Sequence, residues 1–279
     1  MKKTSLNLGL FLFALLSISS FSAYSEGEKN EILLGSVAMD IPAVMHKRLS
    51  PLTTYLSEQL NLPVSLKLSA NMGAAINEIA NHNVDIAYLT PVAYLKAHKK
   101  GGAQIIAKTV TKGKASFKLM VVVKEDSPIK SVSDLAGKSF AFGDKRALLQ
   151  RAALVGGGMP LEKLDSYEFI GHYDNIATAV ARGAFDAGIL KDTMAYKWEG
   201  KGLRILYATP DLPPYNVAVS GKIKPDLAAK IKKAFLDLDG DNPKHLKVIK
   251  ALDKKYNGFA ATSDTEYDVI RALIKPFSK

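Results

Sequence analysis

From residue 30 onward, short apolar runs alternate with stretches in which apolar residues return every three or four positions. These are the periods of buried strands and of helices with one buried face. Ile32-Leu33-Leu34-Gly35-Ser36-Val37 reads as a first strand, and Pro42 to Leu60 as a helix carrying Val44, Leu52, Leu56 and Leu60. A strand over Pro63–Leu68, a helix-to-strand unit ending at Thr90, and a helix over Pro91–Lys99 follow, giving β-α-β-α-β-α order. Gln104–Thr111 and Lys118–Lys124 are further strands; the second, rich in Val and Met, has the composition of a strand buried on both faces and is a candidate crossing strand. A second β/α series then begins. It comprises a short helix ending at Gly137, a strand Ser139–Phe142, a helix over Arg146–Val155, a strand near Tyr167–Ile170, another helix-to-strand unit, and a strand Leu203–Ala208. The rigid loop Asp211-Leu212-Pro213-Pro214-Tyr215 precedes Asn216–Val219, the expected return crossing, after which the remaining helices should pack back onto the first lobe.

The two helix-to-strand units are alike at a spacing of 101 residues. Ala74 to Thr90 aligns with Asn175 to Lys191: Ile76, Ile79 and Ala80 match Ala177, Val180 and Ala181 in helical spacing, Asn83 and Gly183 stop the helices, and Asp85 and Asp186 precede the strands. Units of this kind recur by chance in α/β proteins, but the match favours two lobes built on one plan. The chain is therefore expected to be a bilobal α/β protein, two doubly wound lobes with two chain crossings, lobe 1 being 26–121 with 219–279 and lobe 2 being 122–218. Open α/β sheets bind ligands beyond the carboxyl ends of their strands, so Thr90 and Lys191 should face a cleft between the lobes.

The N-terminal segment changes the picture of location. Met1-Lys2-Lys3 followed by the apolar run Leu6–Leu16, with small residues at Ala23 and Ser25, reads as a secretory signal peptide over residues 1–25; cleavage after Ser22 is an alternative. No later segment approaches the roughly 18 uninterrupted apolar residues of a membrane span, so the exported chain is expected to be soluble. Cysteine is absent, which excludes disulfides, thiolate metal sites, cysteine nucleophiles and a lipid anchor on cysteine. With 47% hydrophobic residues the rest of the chain can fill two cores of ordinary size.

Losing Lys2 and Lys3 takes the formal charge from +11 to +9, a balance that favours anions. The lysines are dispersed rather than interleaved with aromatic residues, and an exported chain seldom meets nucleic acid, so no nucleic-acid partner is expected. The dense basic stretch Lys222–Lys255 reads as two amphipathic helices with solvated faces, an acidic partner or anionic headgroups being the alternative. No metalloprotease, nucleophile-elbow or phosphate-loop pattern is present; Asp237, Asp239 and Asp241 lack the glycine and glutamate positions of a calcium loop. Neither enzyme activity nor a metal or cofactor is expected.

Polar residues at strand-to-helix turns remain. Asp144-Lys145-Arg146 follows a buried strand and opens a helix, either as an anion cradle or as an ordinary Asp N-cap with two solvated cations. His172 donates to a ligand oxygen or simply caps its turn. Tyr88, Thr90 and Tyr94 surround the first strand end, where the tyrosines flank a ligand or fill core, and Met39 and Asp40 lie in the loop after the first strand.

Val84-Asp85-Ile86-Ala87-Tyr88-Leu89-Thr90-Pro91-Val92-Ala93-Tyr94, the run Asp134 to Asp144, and Gly171-His172-Tyr173-Asp174-Asn175 with Ala179 to Gly188 together resemble the phosphate, phosphite and phosphonate-binding proteins of bacterial ABC importers, a branch of the type II periplasmic binding proteins. The resemblance covers nearly all of the chain beyond the signal segment. It implies two lobes that close on a small anionic ligand, a periplasmic location, and delivery to an inner-membrane ABC permease, with the chain acting as a monomer. A periplasmic sensory module reporting to a signalling receptor is the alternative. His172 matches the family's ligand-contacting histidine, and Lys191-Asp192 lies near its second-lobe contacts. One departure stands out: where phosphonate binders usually carry a Ser-Thr-Ser-like run, this chain has Lys145-Arg146-Ala147-Leu148, so that Arg146 replaces a hydroxyl grip by a guanidinium fork or the ligand differs.

Overall fold

The computed structural model describes residues 30–37 and 40–278. The expected signal peptide and Met39 lie outside the described residues.

The chain runs β1 (Ile32–Ser36), α1 (Pro42–Leu60), β2 (Val64–Leu68), α2 (Met72–Ala80), β3 (Ile86–Leu89), α3 (Pro91–Gly101) and β4 (Gln104–Thr111). It continues with β5 (Leu119–Lys124), β6 (Ser139–Phe142), α4 (Leu148–Gly156), β7 (Ser166–Phe169), α5 (Tyr173–Ala181), β8 (Ala187–Lys191), α6 (Asp192–Trp198) and β9 (Leu203–Ala208). Last come β10 (Asn216–Val219), α7 (Pro225–Leu236), α8 (Pro243–Leu252), β11 (Tyr256–Ala260) and α9 (Asp268–Ile274). The short helix expected before Gly137 is a 3₁₀ turn over Val132–Leu135, closed by a reciprocal Ser131–Asp134 cap.

Two sheets organise these elements, in the orders β11-β4-β10-β3-β1-β2 and β7-β6-β8-β5-β9. In the first, β1 pairs parallel with β2 and β3, and β10 runs antiparallel between β3 and β4. In the second, β6 pairs parallel with β7 and β8, and β5 runs antiparallel between β8 and β9. Five strands of one sheet thus superpose in order and direction on the five of the other, and the fold is bilobal and mixed α/β. Sheet membership changes between Thr111 and Leu119 and again between Ala208 and Asn216, so that β5 lies wholly in the second sheet and β10 wholly in the first, a few residues from the expected limits.

The equivalent aspartates of the two repeated units do the same work. Asp85 accepts from the Leu33 amide of β1 at 2.9 Å; Asp186 accepts from the amide and hydroxyl of Ser139 on β6 at 2.9 and 2.8 Å. Each carboxylate thereby sets the start of its own strand against the neighbouring one.

The two connections between the sheets pair with each other. Phe117 donates to the Leu212 carbonyl at 3.0 Å, and Leu212 donates back at 2.8 Å, the geometry of a short two-stranded hinge. Helices α7 and α8 pack on α1 and β11 in the first lobe, as expected. Helix α9 does not: it lies against α4 of the second lobe and touches α3 of the first. The reason is local. A Cβ on Gly156 would lie 2.5 Å from a terminal methyl of Leu273, so glycine lets α9 seat there without moving that side chain, while Tyr267 and Ile270 join the buried core.

Candidate functional site

At the carboxyl ends of the strands, the repeat has diverged where chemistry would occur. Thr90 follows β3 and caps α3, its hydroxyl accepting from the Ala93 amide at 3.2 Å. Its counterpart Lys191 holds the same position before α6 but makes no cap bond. The lysine side chain instead runs inward, its ammonium 4.9 Å from the centre of the Phe117 ring. Burial lowers its pKa; Asp192 and Asp253 oppose that and Lys255 adds to it. Asp192 is turned away from pairing by two backbone donors, the Lys118 amide at 3.1 Å and the Thr193 amide at 2.6 Å.

The loop after β6 is organised around Asp144. Arg146 lays its guanidinium fork across that carboxylate, Nε to Oδ1 at 3.0 Å and Nη2 to Oδ2 at 2.6 Å, and its amide donates to Oδ1 at 2.8 Å. The Arg146 hydrogen bonds hold the Asp144 carboxyl below its ordinary range. Both residues, and Lys145, are exposed. Gly143 approaches the carbonyl of Gly171 so closely that a Cβ there would lie 2.8 Å away, and its amide donates to the Gln150 side chain at 2.7 Å. Loops after β6 and β7 are thereby held side by side, and exposed His172 sits at the start of α5 without a side-chain cap bond.

Both tyrosines of the first strand end are buried. Tyr94 is wholly buried and donates to Asp264 at 2.6 Å, with its ring edge-on to Tyr267 at 5.0 Å. It secures the C-terminal segment. Tyr88 is 2% exposed, shares a 2.6 Å hydrogen bond with Tyr256 and stacks on Tyr215 at 5.3 Å. Asp40 is exposed at the start of α1, bonded to the Ile41 amide and 3.3 Å from Arg48. The structure therefore places Asp144, Lys145, Arg146, His172, Lys191 and Asp192 at the strand ends of the second sheet, with Thr90 at the corresponding end in the first, and buries Tyr88 and Tyr94.

Sequence reasoning missed Tyr215 stacked on Tyr88, the Phe117 ring beneath Lys191, and a cavity of about 140 Å³ lined on one side by Thr111–Ser116 residues and on the other by Lys191, Asp192, Thr193 and Tyr196. The unusual spacing of Pro213-Pro214-Tyr215 was the one signal for any of these. Among the described residues no cluster of His, Cys, Asp or Glu is placed to hold a metal, and no helix is long and apolar enough to cross a membrane.

The model of the family described as ABC transporter, phosphonate, periplasmic substrate-binding protein matches residues 34–267. This chain belongs to that family. The Phosphate-import protein PhnD of Mycolicibacterium smegmatis is 23% identical over 284 residues, covering 90% of this chain and 87% of the relative. Among solved structures, XAC2383 from Xanthomonas citri bound to chloride ion superposes with a TM-score of 0.72 at 20% identity, covering 88% of this chain and 96% of that one. PhnD1 from Prochlorococcus marinus in complex with methylphosphonate gives a TM-score of 0.68 at 20% identity, covering 90% and 99%. These likenesses carry the fold. Family membership makes this chain a periplasmic solute-binding component of a transporter rather than an enzyme.

Proposed function

We propose that this protein captures a small tetrahedral anion, a phosphonate or phosphate-like oxyanion, between its lobes and hands it to an inner-membrane ABC permease. The observation that carries the reading is the pair of sheets of matching strand order, joined by the Phe117–Leu212 hinge, with cationic residues collected at the strand ends. Family membership and the relatives named for phosphate import and for methylphosphonate binding support it, and they favour import over a sensory role. Lobe 1 would be formed by residues 26–121 with 219–279 and lobe 2 by 122–218, adjusted so that β5 moves with the second and β10 with the first. A cleavable leader over residues 1–25, the absence of a cysteine-borne anchor, and action as a monomer complete the proposal.

A ligand that binds only the native state raises apparent stability by mass action, about 2.7 kcal/mol at a hundred times its Kd. Residues 26–279 should therefore melt higher with phosphate, phosphite or an alkylphosphonate than with buffer, in a panel that includes sulfate, carboxylates and amino acids. A rise confined to carboxylates or amino acids would overturn the phosphorus ligand while leaving the binding-protein fold intact.

A further inference from the structure

Lys191 is a half-buried cation for which the described residues supply no hydrogen-bond acceptor and no carboxylate within ion-pair distance; its close neighbour is the face of Phe117. Removing an ammonium from water without pairing it is unfavourable, and a cation–π contact recovers only part of the loss. Its partner position in the first repeat, Thr90, spends its side chain on a helix cap. Lys191 leaves that cap empty, lines the cavity, and carries its ammonium over the Phe117 ring.

The cavity is built to receive charge of the opposite sign. Lys112 and Lys114 stand on the wall formed by the first inter-sheet connection, Lys191 on the wall formed by the second sheet, and the hydroxyls of Ser116 and Thr193 add neutral donors. The one carboxylate in the lining, Asp192, already accepts two backbone N–H groups. About 140 Å³ is well above the roughly 10–15 Å³ that one water needs, so the space admits a small tetrahedral oxyanion. The wall bearing Lys112 and Lys114 runs directly into Phe117, which pairs with Leu212. An anion here would touch the second lobe and the hinge at once.

Building on the anion-binding reading above, we infer that the anionic head of the ligand is received in this crevice, with Lys191 as its principal charge and Lys112 and Lys114 as the opposing pair. The ligand class is a small oxyanion such as phosphate, phosphite or a short alkylphosphonate. Occupancy neutralises the half-buried ammonium and ties the hinge segment to the start of α6. The exposed Arg146, already forked onto Asp144, is left to the outer edge of the cleft.

Calorimetric titration of residues 26–279 with phosphate, methylphosphonate and sulfate tests this. Lys191→Met should lower affinity for the bound anion about 10- to 100-fold, the range of a charged hydrogen bond, while the ligand-free variant melts at the same or a higher temperature because an unpaired half-buried cation is gone. Lys191→Arg should retain most of the affinity. Lys112→Gln with Lys114→Gln should weaken binding and flatten its salt dependence, and Lys244→Gln, a charge control on α8, should do neither. If Lys191→Met binds as the wild type does while Arg146→Gln loses about 10-fold, the crevice is overturned and the anion-binding reading survives. If the wild type binds a carboxylate but no phosphorus anion, and binding still depends on Lys191, the crevice stands and the phosphorus reading falls. A wild type that takes up no anion overturns both.

Discussion

At the residue scale, the two repeated units offer a controlled comparison, since one carboxylate performs one task in two environments. Asp85 is 3% exposed and Asp186 is exposed, yet each fixes a strand by accepting from a neighbouring backbone amide. A charged hydrogen bond contributes about 1.5–3 kcal/mol when desolvated and less where water competes. Asp85→Ala should therefore destabilise by about 2–3 kcal/mol, because it strands a buried donor, and Asp186→Ala by about 1 kcal/mol or less. Urea unfolding of the two variants gives the ranking directly, and equal losses would show that burial does not set the strength of this contact. The aspartates were legible in the sequence as punctuation before a strand. Their partners were not, because Leu33 and Ser139 lie 52 and 47 residues away and nothing local marks them.

At the scale of elements, periodicity placed α1, β4, β6, β9 and β10 at their observed limits, since each is bounded by proline, glycine or a polar turn. It could not reveal that β5 and β10 run antiparallel to their neighbours. A strand buried on both faces has the same residue pattern in either direction, so only the pairing carries that information. Nor did it isolate β11 or α9, which are short and whose partners come from distant parts of the chain. The seat of α9 explains why Gly156 reads as an ordinary turn glycine in the sequence: its role is to be absent opposite Leu273. Gly156→Val should push α9 away from α4 and cost about 1–3 kcal/mol by overpacking, visible as a lowered melting temperature. Gly158→Ala, in the same glycine run, meets no atom within 4 Å but sits at φ +101°, so its loss would come from backbone strain alone. Adding Leu273→Ala should recover part of the Gly156→Val loss and none of the Gly158→Ala loss, since only the former rests on that contact.

Across the whole molecule, Tyr215 links the lobes: it stacks on Tyr88 of the first sheet and packs in the same apolar cluster as Tyr173. Tyr88 and Tyr256 belong to the first sheet, Tyr215 ends the second connection, and Tyr173 opens a helix of the second lobe. Burial is the leading cause of a raised phenol pKa at all four: Tyr256 and Asp253 add to it at Tyr215, and a hydrogen bond from Gln150 only partly offsets it at Tyr173. Tyr55, under α7, is likewise pushed up to about 12 by burial and then by Asp237. The sign follows from linkage. Each group stays protonated in the folded protein beyond the pH of about 10 at which it ionises in an unfolded chain, so its stabilisation is complete below that pH and is lost as pH rises towards the folded value. The protein should therefore hold its stability up to about pH 10 and unfold cooperatively above it. Tyrosinate absorbance should rise in two stages, the second, from these buried phenols, appearing only as circular dichroism is lost. Anion binding argues for a further consequence: a ligand that draws the lobes together keeps Tyr173 and Tyr215 dry, so it should shift that second rise to higher pH. If the buried phenols titrate early with secondary structure intact, the lobes part easily on their own, and closure owes more to the ligand than to this aromatic seam.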